Sequence, residues 1–306
     1  MFHRVLDPAD QDYAQRDPDF ALSARLFEQL LGFFHDHYAV VSLRDVMNAR
    51  DDGRPLPDHA LLISFDDGWA DNLRNAAPLL RARGMPAVLF VVPEAIQSDG
   101  DAWWQEQVFA AARAGVLGTW LDQDQRREVI LRGEAGGALP YPLDIVTRLV
   151  LMEPPRRAEI LATLPAVPLR ARMMLRPDEV PTLAALGIDI GLHGYSHAPL
   201  TAVADVAGEL NQAKLAIATL SAGTATTNVL GCPHGRYNAA VLAAAHEAGM
   251  KLVFTSDPQL NVTQDGMLVP DRPLGRINIV ARQIEAAPAR LSPAAAARWL
   301  WARDCR

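Results

Sequence analysis

Two short stretches carry side chains able to do chemistry together. In Leu61-Leu62-Ile63-Ser64-Phe65-Asp66-Asp67-Gly68-Trp69 an apolar run ends on two adjacent carboxylates and a glycine. In Gly191-Leu192-His193-Gly194-Tyr195-Ser196-His197 a second apolar run ends on two histidines spaced i, i+4. Like charges side by side at a strand end are costly unless a cation or a shared proton relieves them. Either stretch alone also reads as a plain turn, since Asp, Gly and Ser are turn formers. Read together, a carboxylate pair and two imidazoles at strand exits point to a divalent metal. Imidazole nitrogen and carboxylate oxygen are zinc ligands, and a catalytic zinc keeps one position open for water. Asp67, His193 and His197 fill three positions. Zn2+ is the first expectation, and Co2+, Ni2+ and Fe2+ suit the same donors.

Such groups meet only if several strands end at one place. Residues 1–6 read as a first strand and Phe20 to His37 has the spacing of a helix with Leu22, Leu26, Phe27, Leu30, Leu31 and Phe34 on one side. Asp71 to Arg83 is expected to be a helix stopped by Gly84, and Pro86 to Val92 a buried strand. Strand, helix and strand within about thirty residues make a βαβ unit. The rhythm returns with strands over Ile188 to Leu192, Thr227 to Gly231, Leu252 to Thr255 and Arg276 to Val280. Helices are expected over Val203 to Leu220 and Ala239 to Ala248, and a terminal helix over Ala286 to Ala302. Between the halves, Trp103 to Leu175 reads as helices broken by Gly and Pro. The expected organisation is one domain over 1–306 with a helical insertion at about 100–175. The reactive groups, and Pro233-His234 with them, sit past the carboxyl ends of expected strands, where α/β barrels place their sites. An open doubly wound sheet usually brings a Gly-rich phosphate loop, and none is present.

Composition limits the partners. The 306 residues are 50% hydrophobic and 21% charged, an ordinary globular balance able to bury a large core. A net charge of −7 without a concentrated basic face argues against nucleic acid. Cys232 and Cys305 form neither a disulfide framework nor a Cys-x-x-Cys site. No run is long enough for a transmembrane span and no basic-then-apolar leader is visible, which reads as cytoplasmic. Met1-Phe2-His3-Arg4-Val5, however, reads as the end of a clipped strand, which leaves a periplasmic protein open. The oligomeric state is not legible.

The motifs carry a family likeness. Phe65-Asp66-Asp67-Gly68 and His193-Gly194-Tyr195-Ser196-His197 resemble the first two motifs of the polysaccharide deacetylase (NodB-homology) family of carbohydrate esterases. Gly231-Cys232-Pro233-His234-Gly235-Arg236-Tyr237-Asn238 resembles its third, Pro-centred motif. Phe2-His3-Arg4-Val5 and Asp271-Arg272-Pro273-Leu274-Gly275-Arg276-Ile277-Asn278 resemble the first strand and late arginine segment of its extracellular-polysaccharide branch. The resemblance implies a distorted (β/α)7 TIM-like barrel and a metal-dependent hydrolase removing N-acetyl groups from a sugar or polysaccharide. It implies Asp67, His193 and His197 as metal ligands and Asp66 as general base on a metal-activated water. It places the N–H of His234, after Pro233, against the tetrahedral oxyanion.

The departures bear on the remaining roles. Asn228, Val229 and Leu230 stand where the fullest motif sets carry an arginine before the Pro loop, and Arg276 is expected to hold the base instead. Its alternative is an ordinary surface ion pair. No histidine follows His246, so the family's late leaving-group acid is missing; His3, His234 or Asp66 itself must return the proton. His3 reads otherwise as a buried structural histidine, and His246 as a helix residue. Trp69 and Tyr195 are expected to meet substrate, with Pro233 beside them and Trp103-Trp104 as groove lining, although such rings more often fill cores. The competing functions are a catalytically weak carbohydrate-binding relative and an iron oxygenase using two histidines and one carboxylate, a site more usual on all-β scaffolds.

Overall fold

The computed structural model describes residues 1–10, 13, 19–51, 53–97, 103–121, 142–152, 154–167, 172–261, 263–264, 267–269 and 272–301. Two compact units emerge, residues 1–96 with 175–306, and residues 97–174. In the first, five parallel strands lie side by side in chain order: Ile63–Phe65, Ala87–Val91, Ile188–Leu192, Val229–Gly231 and Leu252–Phe254. Their registers, Phe65 with Leu89, Val91 with Leu192 and Gly231 with Phe254, bring the carboxyl ends level. Such strands need apolar side chains on both faces, and Ala87 through Val91 are all buried.

The sheet curls until its edges meet. Phe254 makes one parallel bridge to Leu274, and Phe2 makes another to Phe65. Between them the Met1 amino group donates to the Ile277 carbonyl at 2.8 Å, and the Ile279 N–H donates to that of Met1 at 3.1 Å. Five strands and two extended segments thus complete a distorted barrel. The expected strand at Arg276 to Val280 is only this loosely bridged segment. Just before it a side chain supplies strand-like pairing: Asn261 accepts from the Gly275 N–H at 2.8 Å and donates to the Gly275 carbonyl at 3.0 Å.

Helices pack outside the strands. Ala24–His37 starts later than its apolar spacing suggests, because Ser23 caps it by accepting the Leu26 N–H. The residues before it, Ala21–Ser23, form a short strand parallel to Arg4–Leu6. The helix expected from Asp71 begins as a π-helical turn, Asn72–Ala76, and continues as Ala77–Ala82. Asn72 and Asn75 spend their amides on the carbonyls of His3 and Val5 at 2.8 Å, which ties that turn to the first strand. The expected terminal helix is shorter, Pro293–Trp301, and is preceded by a hairpin of Glu285–Ala287 with Arg290–Leu291. Pro288 lies within that hairpin, where a helix would lose a hydrogen bond, whereas Pro293 occupies a first helical turn that tolerates it.

The second unit is helical in its described part: Trp104–Arg113, Leu117–Leu121, Pro142–Val150 and Pro154–Leu161. Val108, Trp120, Leu121, Ile145 and Leu149 make its own core. Glu106 accepts the N–H groups of Trp103 and Met173, both at 2.8 Å, and so clasps the unit's two ends. The helices expected across 122–141 lie outside the described residues, as does Asp271 of the late motif. Among the described residues no helix is long and apolar enough to cross a membrane.

Candidate active site

Each reactive side chain leaves a strand at its carboxyl end. Asp66 and Asp67 follow Ile63–Phe65, His193 follows Ile188–Leu192, and Cys232 to His234 follow Val229–Gly231. Asp67 has φ 77 and Gly68 φ 93, so the chain reverses sharply there. This left-handed geometry is costly for Asp67 and natural for Gly68. The two neighbouring carboxylates face different partners.

Asp67 meets the histidines. Its Oδ1 lies 3.2 Å from His197 Nε2 and 3.6 Å from His193 Nε2. One donor atom from each of the three residues falls within 4.8 Å of the others, and all three residues are buried. Asp67 Oδ1 is a buried oxygen without a hydrogen-bond partner. Buried polar atoms are ordinarily satisfied, so an orphan between two imidazole nitrogens fits a cation. The other oxygen, Oδ2, accepts the indole N–H of Trp69 at 2.9 Å. Burial pushes the Asp67 carboxyl up, but the imidazoles of His197, His3 and His193 outweigh it and hold the group well below the carboxylate range. His193 Nδ1 lies 2.7 Å from the Gly231 carbonyl. A carbonyl only accepts, so Nδ1 carries the proton and Nε2 faces Asp67 with its lone pair. Burial and the neighbouring His197 lower the His193 pKa to about 4 against the pull of both aspartates, so the ring is neutral at pH 7.

Asp66 is held apart from that cluster. Arg276 grips it with both terminal nitrogens, Nη1 to Oδ1 at 2.6 Å and Nη2 to Oδ2 at 2.8 Å, and both side chains are buried. Arg276 is itself fixed by Nε donating to the Thr255 carbonyl at 3.0 Å. The arginine expected to hold the base does contact it, and a surface ion pair is excluded by its burial. Burial works to raise the Asp66 pKa, while Arg276, His193 and His3 hold it below the usual value. Its Oδ2 remains 3.9 Å from His193 Nε2, next to the three-residue cluster without belonging to it.

The other expected residues divide. His234 has φ 55, its Nε2 lies 3.1 Å from the His197 carbonyl, and its ring centroid is 4.3 Å from that of His197. Loss of water around the ring, with repulsion from His197 and His193, pulls its pKa down even though the residue as a whole is exposed. His3 is partly buried edge-on to Phe20, with Nδ1 among the unpartnered buried atoms; burial lowers its pKa against the pull of Asp67 and Asp66. Tyr195 packs against the core, and Pro233 is buried near Gly194. Trp69, expected to stack on sugar, is only 7% exposed and spends its N–H on Asp67. Trp103, expected as groove lining, is 3% exposed, and the Trp104 ring lies under the Arg157 guanidinium.

One partner was invisible in the motifs. Glu209, in the first turn of the Val206–Leu220 helix, accepts with one oxygen from the Tyr195 N–H, the Ser196 N–H and the Ser196 hydroxyl at 2.8–2.9 Å. It closes the loop between the two histidines, where Gly194 has φ 69 and His197 φ 62. An acid in a first helical turn is the sole sequence signal for it, and that signal is generic.

A family profile described as polysaccharide deacetylase matches residues 53–253. The Escherichia coli K12 protein poly-beta-1,6-N-acetyl-D-glucosamine N-deacetylase is 32% identical over 100 residues, which is 33% of this chain and 14% of that protein. The chain therefore matches only a small part of that relative's length. Among solved structures, Streptococcus pyogenes deacetylase PplD in complex with acetate aligns with a TM-score of 0.60 at 16% identity, over 98% of this chain and 96% of that one. IcaB from Ammonifex degensii aligns with a TM-score of 0.57 at 16% identity, over 98% and 94%. At such identities these structures are similar to this chain in fold.

Proposed function

This chain belongs to the polysaccharide deacetylase family, and from that premise we propose that it hydrolyses N-acetyl groups from an N-acetylated glycan in a metal-dependent reaction. The observation that carries the reading is the unpartnered Asp67 Oδ1 facing two imidazole nitrogens, with Asp66 held separately by Arg276. A polymer of N-acetylglucosamine is the substrate class, supported by the stretch similar to the Escherichia coli poly-N-acetylglucosamine deacetylase. A divalent ion held by Asp67, His193 and His197, Zn2+ first, supplies Lewis-acid chemistry by acidifying water and polarising the amide carbonyl.

The protein's own groups do the rest. Asp66, kept ionised by Arg276, takes a proton from the attacking water as its oxygen bonds to the acetyl carbon. The His234 N–H, in the loop after Pro233, donates to the carbonyl oxygen as charge develops on it. The carbon–nitrogen bond then breaks, acetate leaves, and the sugar amine takes the proton back from Asp66. His234 suits that transfer less well, because its Nε2–H is directed to the His197 carbonyl and its pKa is depressed.

Acetate release from an N-acetylglucosamine oligomer, with metal content measured on the same samples, tests the reading. Wild type releases acetate. Asp66→Asn keeps its metal and loses roughly 10²–10⁴-fold in kcat, the usual worth of a general base. His193→Ala loses the metal while keeping its circular dichroism spectrum. Metal-loaded wild type that binds the oligomer and releases no acetate would favour the carbohydrate-binding reading instead.

A further inference from the structure

The indole of Trp69 has no part in those steps, yet its placement is specific. The reversal at Asp67 and Gly68 folds the ring back, so that Nε1–H points at Asp67 Oδ2 from 2.9 Å. The Arg4 guanidinium carbon lies 4.6 Å from the indole centroid. Arg4 Nε is 2.9 Å from Asp71 Oδ2, and Asp71 Oδ1 accepts the Val5 N–H at 2.8 Å. Asp71, Arg4, Trp69 and Asp67 are thus successive contacts leading from the first strand to the carboxylate that faces the histidines. A cation over an indole face is attracted by the ring's quadrupole. By drawing electron density away, it also makes the N–H a better donor, as linked polar groups do in a low dielectric.

We propose that Trp69 is a positioning residue for the metal, occupying Asp67 Oδ2 so that Oδ1 alone is offered to the ion. The inference rests on the metal-dependent reading above. A carboxylate with both oxygens free can chelate through both and fill the position a catalytic site keeps for water. Donors behind a ligand fix its orientation, and losing one typically costs 10–100-fold in metal affinity. His193 is anchored by the same logic, through Nδ1 and the Gly231 carbonyl. If the ring served only as core filling, phenylalanine would do as well.

Trp69→Phe separates the two roles, since it keeps an aromatic ring beneath Arg4 and deletes the N–H. Zn2+ affinity is measured by competition with a chromophoric chelator, and the visible spectrum of the Co2+-loaded protein reports coordination number. The expected result is about 10–100-fold weaker Zn2+ binding and a weaker Co2+ band, from added coordination, with the melting curve of the chelated protein unchanged. Affinity and spectrum equal to wild type overturn the proposal. Should the variant fail to fold, the 15N-labelled indole N–H of wild type is followed by NMR; it exchanges slowly and shifts on Zn2+ addition, and a signal indifferent to Zn2+ overturns the proposal. Wild type that binds no divalent ion removes the hydrolase reading itself, whereas normal wild-type binding with an unaffected variant removes only the role of Trp69.

Discussion

Two adjacent aspartates meet different partners: Asp66 is held by Arg276, and Asp67 faces His193 and His197. Arg276 encloses Asp66 from 210 positions away in the chain, and both groups are buried. Arg276→Met therefore leaves an uncompensated buried carboxylate and is expected to cost about 3–5 kcal/mol. Adding Asp66→Asn should recover much of that loss, and urea melts of the double-mutant cycle measure the coupling. The pH profile moves as well. In the proposed reaction Asp66 acts as a base in its ionised form, and its pKa is held below the usual value, so activity should persist well into the acid range. Without Arg276 burial dominates, the pKa rises, and the acid limb of kcat/KM moves to higher pH. Cys232 gives an independent check of the same interior: burial raises its thiol pKa to about 12. In a Cys305→Ser background it should resist thiol reagents at pH 8 until the protein is unfolded.

The loop between the histidines depends on the helix that follows it. Glu209 satisfies three donors of that loop with one oxygen, and Gly194 sits 3.3 Å from that oxygen when a Cβ is placed on it. Glu209→Ala should destabilise the protein by about 1 kcal/mol, the low end of the range for abandoned donors because these are only part-buried, and weaken Zn2+ binding. Glu209→Gln, whose amide oxygen accepts the same bonds, should retain most of both, as read by thermal melts and chelator competition. Where apolar spacing and capping chemistry agree, element boundaries were legible: the Ile188–Leu192 strand matches its apolar run. Where a cap or a side chain intervenes they were not. Ser23 delays the Ala24–His37 helix, and Asn261 replaces a strand partner at Gly275.

The first unit closes its barrel through backbone bridges at Phe2–Phe65 and Phe254–Leu274, which the side chains of Asp67, His193 and His197 do not form. Chelation should therefore leave its secondary structure intact in far-UV circular dichroism. Stability should fall by the linkage term alone, about 2.7 kcal/mol for an ion present at a hundred times its Kd, and the melting temperature with it. Loss of the barrel on chelation would mean that the ion is structural.

Residue types and their place at strand ends were readable from the chain, because both the Asp-Asp-Gly stretch and the two histidines follow apolar runs in an alternating α/β pattern; either alone also reads as a turn, and only the two together point to one site. The parallel sheet was readable for a similar reason, since βαβ handedness leaves little choice of topology. Which oxygen faces which nitrogen was not. Trp69 reads along the chain as a ring for stacking on sugar, and in space it donates its N–H to Asp67; Glu209 carries no signal beyond a helix's first turn. Those contacts depend on how left-handed turns at Asp67, Gly68 and Gly194 aim side chains in three dimensions, and backbone reversal of that kind is decided by tertiary packing rather than by spacing.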